Sequence, residues 1–214
     1  MRPKTLVLLG LALLSYCTSS NANITNAWWH DDNDGAVNCS TWNASGLNTS
    51  SVDLSMTGVQ NWAPGHMIGW AQTDSTADPT LGLFTSVDND TSFAWTSYQV
   101  NVYMQVPFTV VPGSVAVTMP SDWTFSSPTY STAGPGPFAG DYEATLIFNS
   151  GTPLNIGGEM DFDYAIHFAS STDYWFAQEM MPNEVPEPGV FNLATMSGLF
   201  FGASHLIKRL GRKV

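Results

Sequence analysis

Met160-Asp161-Phe162-Asp163-Tyr164-Ala165-Ile166-His167-Phe168 alternates large apolar residues with small or polar ones along its whole length. A period of two puts Met160, Phe162, Tyr164, Ile166 and Phe168 on one face of an extended strand, and Asp161, Asp163, Ala165 and His167 on the other. The same alternation runs through Tyr98, Val100, Val102, Met104 and Val106, through Val115, Val117 and Met119, and through Tyr142, Ala144, Leu146 and Phe148. Each run is half-buried strand in pattern. Breakers separate them: Val111-Pro112-Gly113, Ala133-Gly134-Pro135-Gly136-Pro137 and Ser150-Gly151-Thr152-Pro153. No window between them carries a 3.6-residue period. Short strands joined by Gly, Pro, Ser and Asn turns predict an all-β domain, an antiparallel β-sandwich of immunoglobulin-like architecture.

Working outward, residues 23–64 are less regular. They are rich in Asn, Ser and Thr, with Trp28, Trp29 and Trp42 interleaved. Extra strands or an irregular N-terminal arm both fit, with the best-ordered sandwich expected from about residue 65. One domain spanning 23–184 is long enough to bury a core.

Charge divides the chain into three parts. Residues 23–184 contain no lysine or arginine and hold 17 of the 18 acidic residues, Glu187 being the other. Such a body cannot neutralise phosphates, so nucleic acid is excluded as a partner, and adhesion to anionic lipid with it. All six basic residues stand at the ends: Arg2 and Lys4 before an apolar run, and Lys208, Arg209, Arg212 and Lys213 after another.

The first end reads as a secretory signal peptide over residues 1–22. Its cation pair, the apolar run 6–14 and Ser20-Asn21-Ala22 give the three-region layout, with cleavage between Ala22 and Asn23. Lipid attachment at Cys17 is disfavoured by the bulky Tyr16 beside it. Once the leader is removed, Cys39 stands alone, which rules out an intramolecular disulfide and any cysteine-built metal site.

The other end has Val185-Pro186-Glu187-Pro188, then the largely apolar residues 189–207, then the basic cluster. Nineteen residues of helix span about 30 Å, just the hydrocarbon thickness of a bilayer. Asn192, Thr195, Ser197, Ser204 and His205 weaken the span, as suits a transient anchor. The cations should stay cytoplasmic, leaving residues 23–184 outside. The two prolines keep the preceding backbone extended and accessible.

These three parts, in this order, resemble the PEP-CTERM sorting signal of Gram-negative bacteria. The likeness covers residues 185–214 and departs from the family in its basic end, which is interrupted by Leu210 and Gly211 and closes on Val214. It implies a membrane-embedded exosortase as a partner, cutting at or near residues 185–188 and releasing or re-attaching the body at the cell surface. It also implies residence in the extracellular polysaccharide or biofilm matrix. Asp78-Pro79-Thr80-Leu81, followed by Asp88-Asn89-Asp90-Thr91-Ser92-Phe93-Ala94-Trp95, resembles a segment of secreted immunoglobulin-like domains in that group. That second likeness brings no catalytic residues.

Candidate chemistry is sparse. Asp31-Asp32-Asn33-Asp34-Gly35 clusters oxygen ligands, but with Gly35 at the sixth position of an EF-hand register, His30 would be first and Thr41 twelfth. The leading aspartate and closing glutamate are both missing, so it is not an EF-hand. A non-standard calcium site on Asp31, Asp32 and Asp34, or a solvated turn, are the two readings; no other cofactor is expected. Asp161 and Asp163 share the solvent face of their strand, where their pKa values need not move, so no catalytic residues are assigned. His30, His66 and His167 show no zinc spacing.

Eight tryptophans are many for this length. One or two belong in the core, and the others, beside polar residues in loops, either cover the ends of the sandwich or stack on sugars. The expectation is therefore a non-enzymatic, secreted or surface-displayed protein. The alternatives are a carbohydrate-binding module using loop tryptophans with calcium support, and a glycan-cleaving enzyme. Coplanar tryptophans on one face would favour the binder, and a pocket holding two carboxylates about 5–10 Å apart the enzyme.

Overall fold

The computed structural model of the protein describes residues 21–149 and 151–184. Most of the leader, and the whole tail with Val185, Pro186, Glu187, Pro188, Lys208, Arg209, Arg212 and Lys213, lie outside the described residues. So do the two helices expected at the ends.

The described residues form twelve strands and no helix: β1 (Ile24–Asp31), β2 (Val37–Ser45), β3 (Ser51–Gln60), β4 (Gly65–Thr73), β5 (Thr80–Asn89), β6 (Ser97–Met104), β7 (Phe108–Val110), β8 (Ala116–Met119), β9 (Thr124–Thr132), β10 (Tyr142–Asn149), β11 (Glu159–Phe168) and β12 (Asp173–Asn183). They make two sheets packed as a sandwich. The first sheet runs β1-β4-β12-β6-β10-β9; the second runs β2-β3-β5-β11-β7, with β8 also beside β11. Pairing is antiparallel except between β3 and β5, which run parallel from Ser51 opposite Thr80 to Gln60 opposite Asn89. That pair departs from the wholly antiparallel expectation. Its cause is that β4, between them in sequence, crosses to the other sheet.

The alternation in sequence becomes the core directly. Met160, Phe162, Tyr164, Ile166 and Phe168 of β11 are buried, as are Tyr98, Val100, Val102 and Met104 of β6. Residues 24–60 are part of the body rather than an arm. Trp29 of β1, Val37 of β2, and Val52, Leu54 and Met56 of β3 enter the same core. Tyr98 leans on Trp95 and Phe162 at ring separations of 5.0 and 5.8 Å, and Phe148 on Phe162 at 5.2 Å.

Two buried glutamines tie the sheets together. Gln60 of β3 accepts from the Tyr98 hydroxyl of the opposite sheet and donates to the Met180 carbonyl at 3.0 Å. Gln178 of β12 accepts from the Tyr164 hydroxyl at 2.8 Å and donates to Thr85 at 3.3 Å. A buried amide left unpaired would cost about 1–3 kcal/mol, so these bridges fix how the sheets sit.

Candidate functional site

The outer face of the first sheet carries chemistry-bearing side chains in rows set by strand register. Trp28 of β1 lies opposite Trp70 of β4, which lies opposite Trp175 of β12. Neighbouring strands are about 4.8 Å apart, so this row makes an aromatic strip roughly 10 Å across. The Trp28 and Trp70 rings lie 6.4 Å apart at 30°, and His30 stacks on Trp28 at 4.9 Å and 9°. All three tryptophans are half-buried. The next row is His30, Ile68, Ala177 and Tyr103; the one beyond has His66, Glu179 and Asn101 on β4, β12 and β6.

That last row is polar and linked. His66 meets Asp32 through Nδ1 at 3.1 Å and Glu179 through Nε2 at 3.3 Å. The other Glu179 oxygen accepts from the Tyr103 hydroxyl at 2.9 Å and from Asn101 at 3.0 Å. The Glu179 bond holds the His66 imidazole above its ordinary pKa, with burial opposing and Asp32 adding to the rise. In return His66 draws the Glu179 carboxyl below the usual range against the opposing effect of burial, helped by Tyr103 and Asn101. Burial, then Glu179, pushes the Tyr103 phenol up.

A loop roofs one side of this face. The run 133–137, a breaker by sequence, turns the chain so that Phe138 folds back onto the sheet. Its ring stacks on Tyr103 at 4.5 Å and meets Trp175 at 5.5 Å and His66 edge-on at 5.7 Å. Tyr103, Phe138 and Ala177 thereby form a small second apolar cluster outside the main core.

The predicted tryptophans are distributed differently from expectation. Trp29, Trp95 and Trp123 are buried, and Trp28, Trp70 and Trp175 project from strands, not loops. Trp62 alone fits the picture of an exposed loop tryptophan, at 50 % exposure; Trp42 is 46 % exposed on β2.

The acidic loop is also rearranged. Asp31 accepts from the Asn33 and Cys39 backbone amides, one on each carboxylate oxygen, at 3.1 and 2.7 Å. Asp32 and Asp34 each use one oxygen on the loop, toward the amides of Asp34 and Ala36 at 3.2 and 2.7 Å. Ligand atoms of Asp32, Asp34 and His66 lie within 4.8 Å of one another, a grouping that could hold a metal ion. The structure thus keeps two of the three expected ligands and puts His66 where Asp31 was expected. Nothing local in sequence marks His66, which lies 34 residues from Asp32 and 113 from Glu179.

At the predicted cleavage point, Ala22 is buried, and Asn23 donates to Asp74 through its backbone amide. Asp161 and Asp163 lie on the outer face of the second sheet, in a shallow groove of about 350 Å³ with Ser55, Thr57, Ser86 and Thr118. They are half-buried rather than free in solvent, and burial raises the Asp163 carboxyl, contrary to the expected unmoved pair. One Asp161 oxygen is buried with no hydrogen-bond partner.

Comparison of the chain with protein-family models, with curated proteins and with solved structures gives no match.

Proposed function

We propose that this chain is an exported, non-enzymatic β-sandwich protein that binds neutral polysaccharide through the outer face of its first sheet. The observation that carries the reading is the cross-strand row Trp28, Trp70 and Trp175, three aromatic side chains in adjacent register on one face. Apolar sugar faces stack on such a strip. The ligand is neutral because a body without lysine or arginine repels an anionic polymer.

Delivery rests on the two ends of the sequence. The signal-like leader exports the chain, and the PEP-CTERM-like tail anchors it in the inner membrane until an exosortase processes it at the surface. The body is read as immunoglobulin-like in the architectural sense of two packed, mainly antiparallel sheets, enlarged beyond the usual strand number. Calcium support is not adopted, since Asp31 already has both carboxylate oxygens engaged by backbone amides. Nor is glycan cleavage. Asp161 and Asp163 project side by side from one strand, whereas hydrolysis needs carboxyl groups flanking the bond.

Affinity electrophoresis of the exported protein through gels containing neutral or anionic polysaccharides tests the binding half. Retardation by a neutral polymer supports it; equal mobility in every gel defeats it. Intact-mass analysis of the exported form, with and without the host's exosortase, tests delivery. A surface form still ending at Val214 in the presence of that enzyme would defeat the processing step.

A further inference from the structure

We infer that Asp32, Asp34 and His66 form a binding site for a divalent transition-metal ion of the zinc class, with His66 coordinating through Nδ1. This goes beyond the polysaccharide reading and uses none of its tryptophans.

Four observations converge. First, the donors come from two separate places in the fold, the β1–β2 loop and β4, yet their ligand atoms fall within 4.8 Å of one another. Bond lengths of about 2.1 Å place neighbouring donors of a tetrahedral ion about 3.4 Å apart, and His66 Nδ1 stands 3.1 Å from Asp32 Oδ2. Second, the other imidazole nitrogen is engaged by a carboxylate, Glu179, at 3.3 Å. A metal-bound histidine characteristically gives its remaining N–H to such a group, which fixes the tautomer and orients the ring. Glu179 is itself held by Tyr103 and Asn101, so the orienting partner is fixed too.

Third, the loop backbone leaves the right atoms uncovered. Asp32 and Asp34 each engage the backbone through Oδ1 alone, whereas Asp31 uses both oxygens. Asp32 Oδ2 instead faces His66 Nδ1, so an ion would take the place of the proton those two atoms share. Fourth, the His66 and Asp32 side chains keep 14 % and 23 % exposure, low enough to shield an ion and high enough for it to enter. An imidazole among the donors selects against calcium, which takes six to eight oxygen ligands. Three protein ligands leave a coordination position for water or for a ligand hydroxyl.

The test is zinc titration of the full exported protein by calorimetry, with cobalt absorption as a second readout of coordination. All proteins carry Cys39→Ser, so that the lone thiol takes no metal. One zinc per chain is expected. His66→Gln and Asp34→Asn should each weaken it at least roughly tenfold, Glu179→Gln should weaken it roughly 10–100-fold, and Asp88→Asn, exposed on β5 of the other sheet, should leave it near the parent value. Near-UV circular dichroism confirms each fold. Asp34 is exposed and outside the core, so its variant decides the matter even where His66→Gln does not fold. Zinc affinity unchanged in Asp34→Asn, or calcium binding that is lost in Asp31→Asn while zinc fails to bind, would overturn the site. Loss of polysaccharide binding with zinc binding intact would overturn only the earlier reading.

Discussion

Asp74 accepts two hydrogen bonds from Asn23, from the backbone amide at 2.8 Å and from the side-chain amide at 2.7 Å, and returns one from its own amide to the Asn23 carbonyl at 3.0 Å. These bonds fasten the start of the body to the end of β4. If cleavage falls after Ala22, the amide facing Asp74 becomes a cationic amino terminus in a body with no lysine or arginine.

A pH dependence follows. The Asn23 backbone amide, then its side chain, holds the Asp74 carboxyl below the usual carboxylate range. A depressed folded-state value means that the stability Asp74 contributes is present above the ordinary aspartate pKa of about 3.9 and lost as pH falls through the lowered value. Urea midpoints of wild type and Asp74→Asn should differ at neutral pH and converge in acid. Curves that stay parallel down to low pH would show that the ionised carboxylate adds nothing.

Trp70 sits in the middle of the aromatic row, between Trp28 and Trp175. Trp70→Ala should lower affinity for a neutral polysaccharide about tenfold, corresponding to about 1.4 kcal/mol. Trp42→Ala and Trp62→Ala, away from that row, should leave retardation in affinity gels unchanged. Equal losses in all three would point to nonspecific stickiness.

Gly69 of β4 lies directly opposite Phe176 of β12, and a Cβ added there would stand 2.1 Å from the Phe176 ring. The ring is fully buried. Gly69→Ala should therefore destabilise by about 1–3 kcal/mol, read as a lowered urea midpoint. A trimmed partner, Phe176→Leu, should recover part of the loss in the double variant.

The Tyr164–Gln178–Thr85 bridge offers a test of polar satisfaction. Gln178→Leu strands the buried Tyr164 hydroxyl and should cost about 1–3 kcal/mol. Adding Tyr164→Phe removes the stranded group, so the double variant should be more stable than Gln178→Leu alone. A double-mutant cycle in chemical denaturation measures the difference.

The fold was legible where side chains alternate without interruption. The strands at 97–104, 142–149 and 159–168 differ from their sequence-based bounds by a residue or two, because a buried inner face imposes period two. The first sixty residues were harder to read. Along β2 most side chains are exposed, so Asn38, Ser40, Thr41 and Asn43 give no apolar stripe. The parallel β3–β5 pair carries no local mark, since it depends on where β4 goes. The candidate site was legible only in parts. Asp32 and Asp34 stood out as neighbours in sequence, but His66 and Glu179 join them through register across three strands. Phe138 hid in a glycine–proline run whose composition announces a turn and says nothing of where its aromatic lands.

The position of β12 has a consequence for biogenesis. It is the last strand among the described residues, yet it lies in the interior of the first sheet, between β4 and β6. Until residues 173–183 arrive, β4 and β6 have no common neighbour, Gln178 cannot bridge to Tyr164, and that half of the molecule has a gap through its middle. A nascent chain emerging from its amino end therefore stays unclosed until residues 173–183 have emerged. On the proposed export, that keeps it threadable through a translocation pore, and the sandwich locks only when residues 173–183 have crossed.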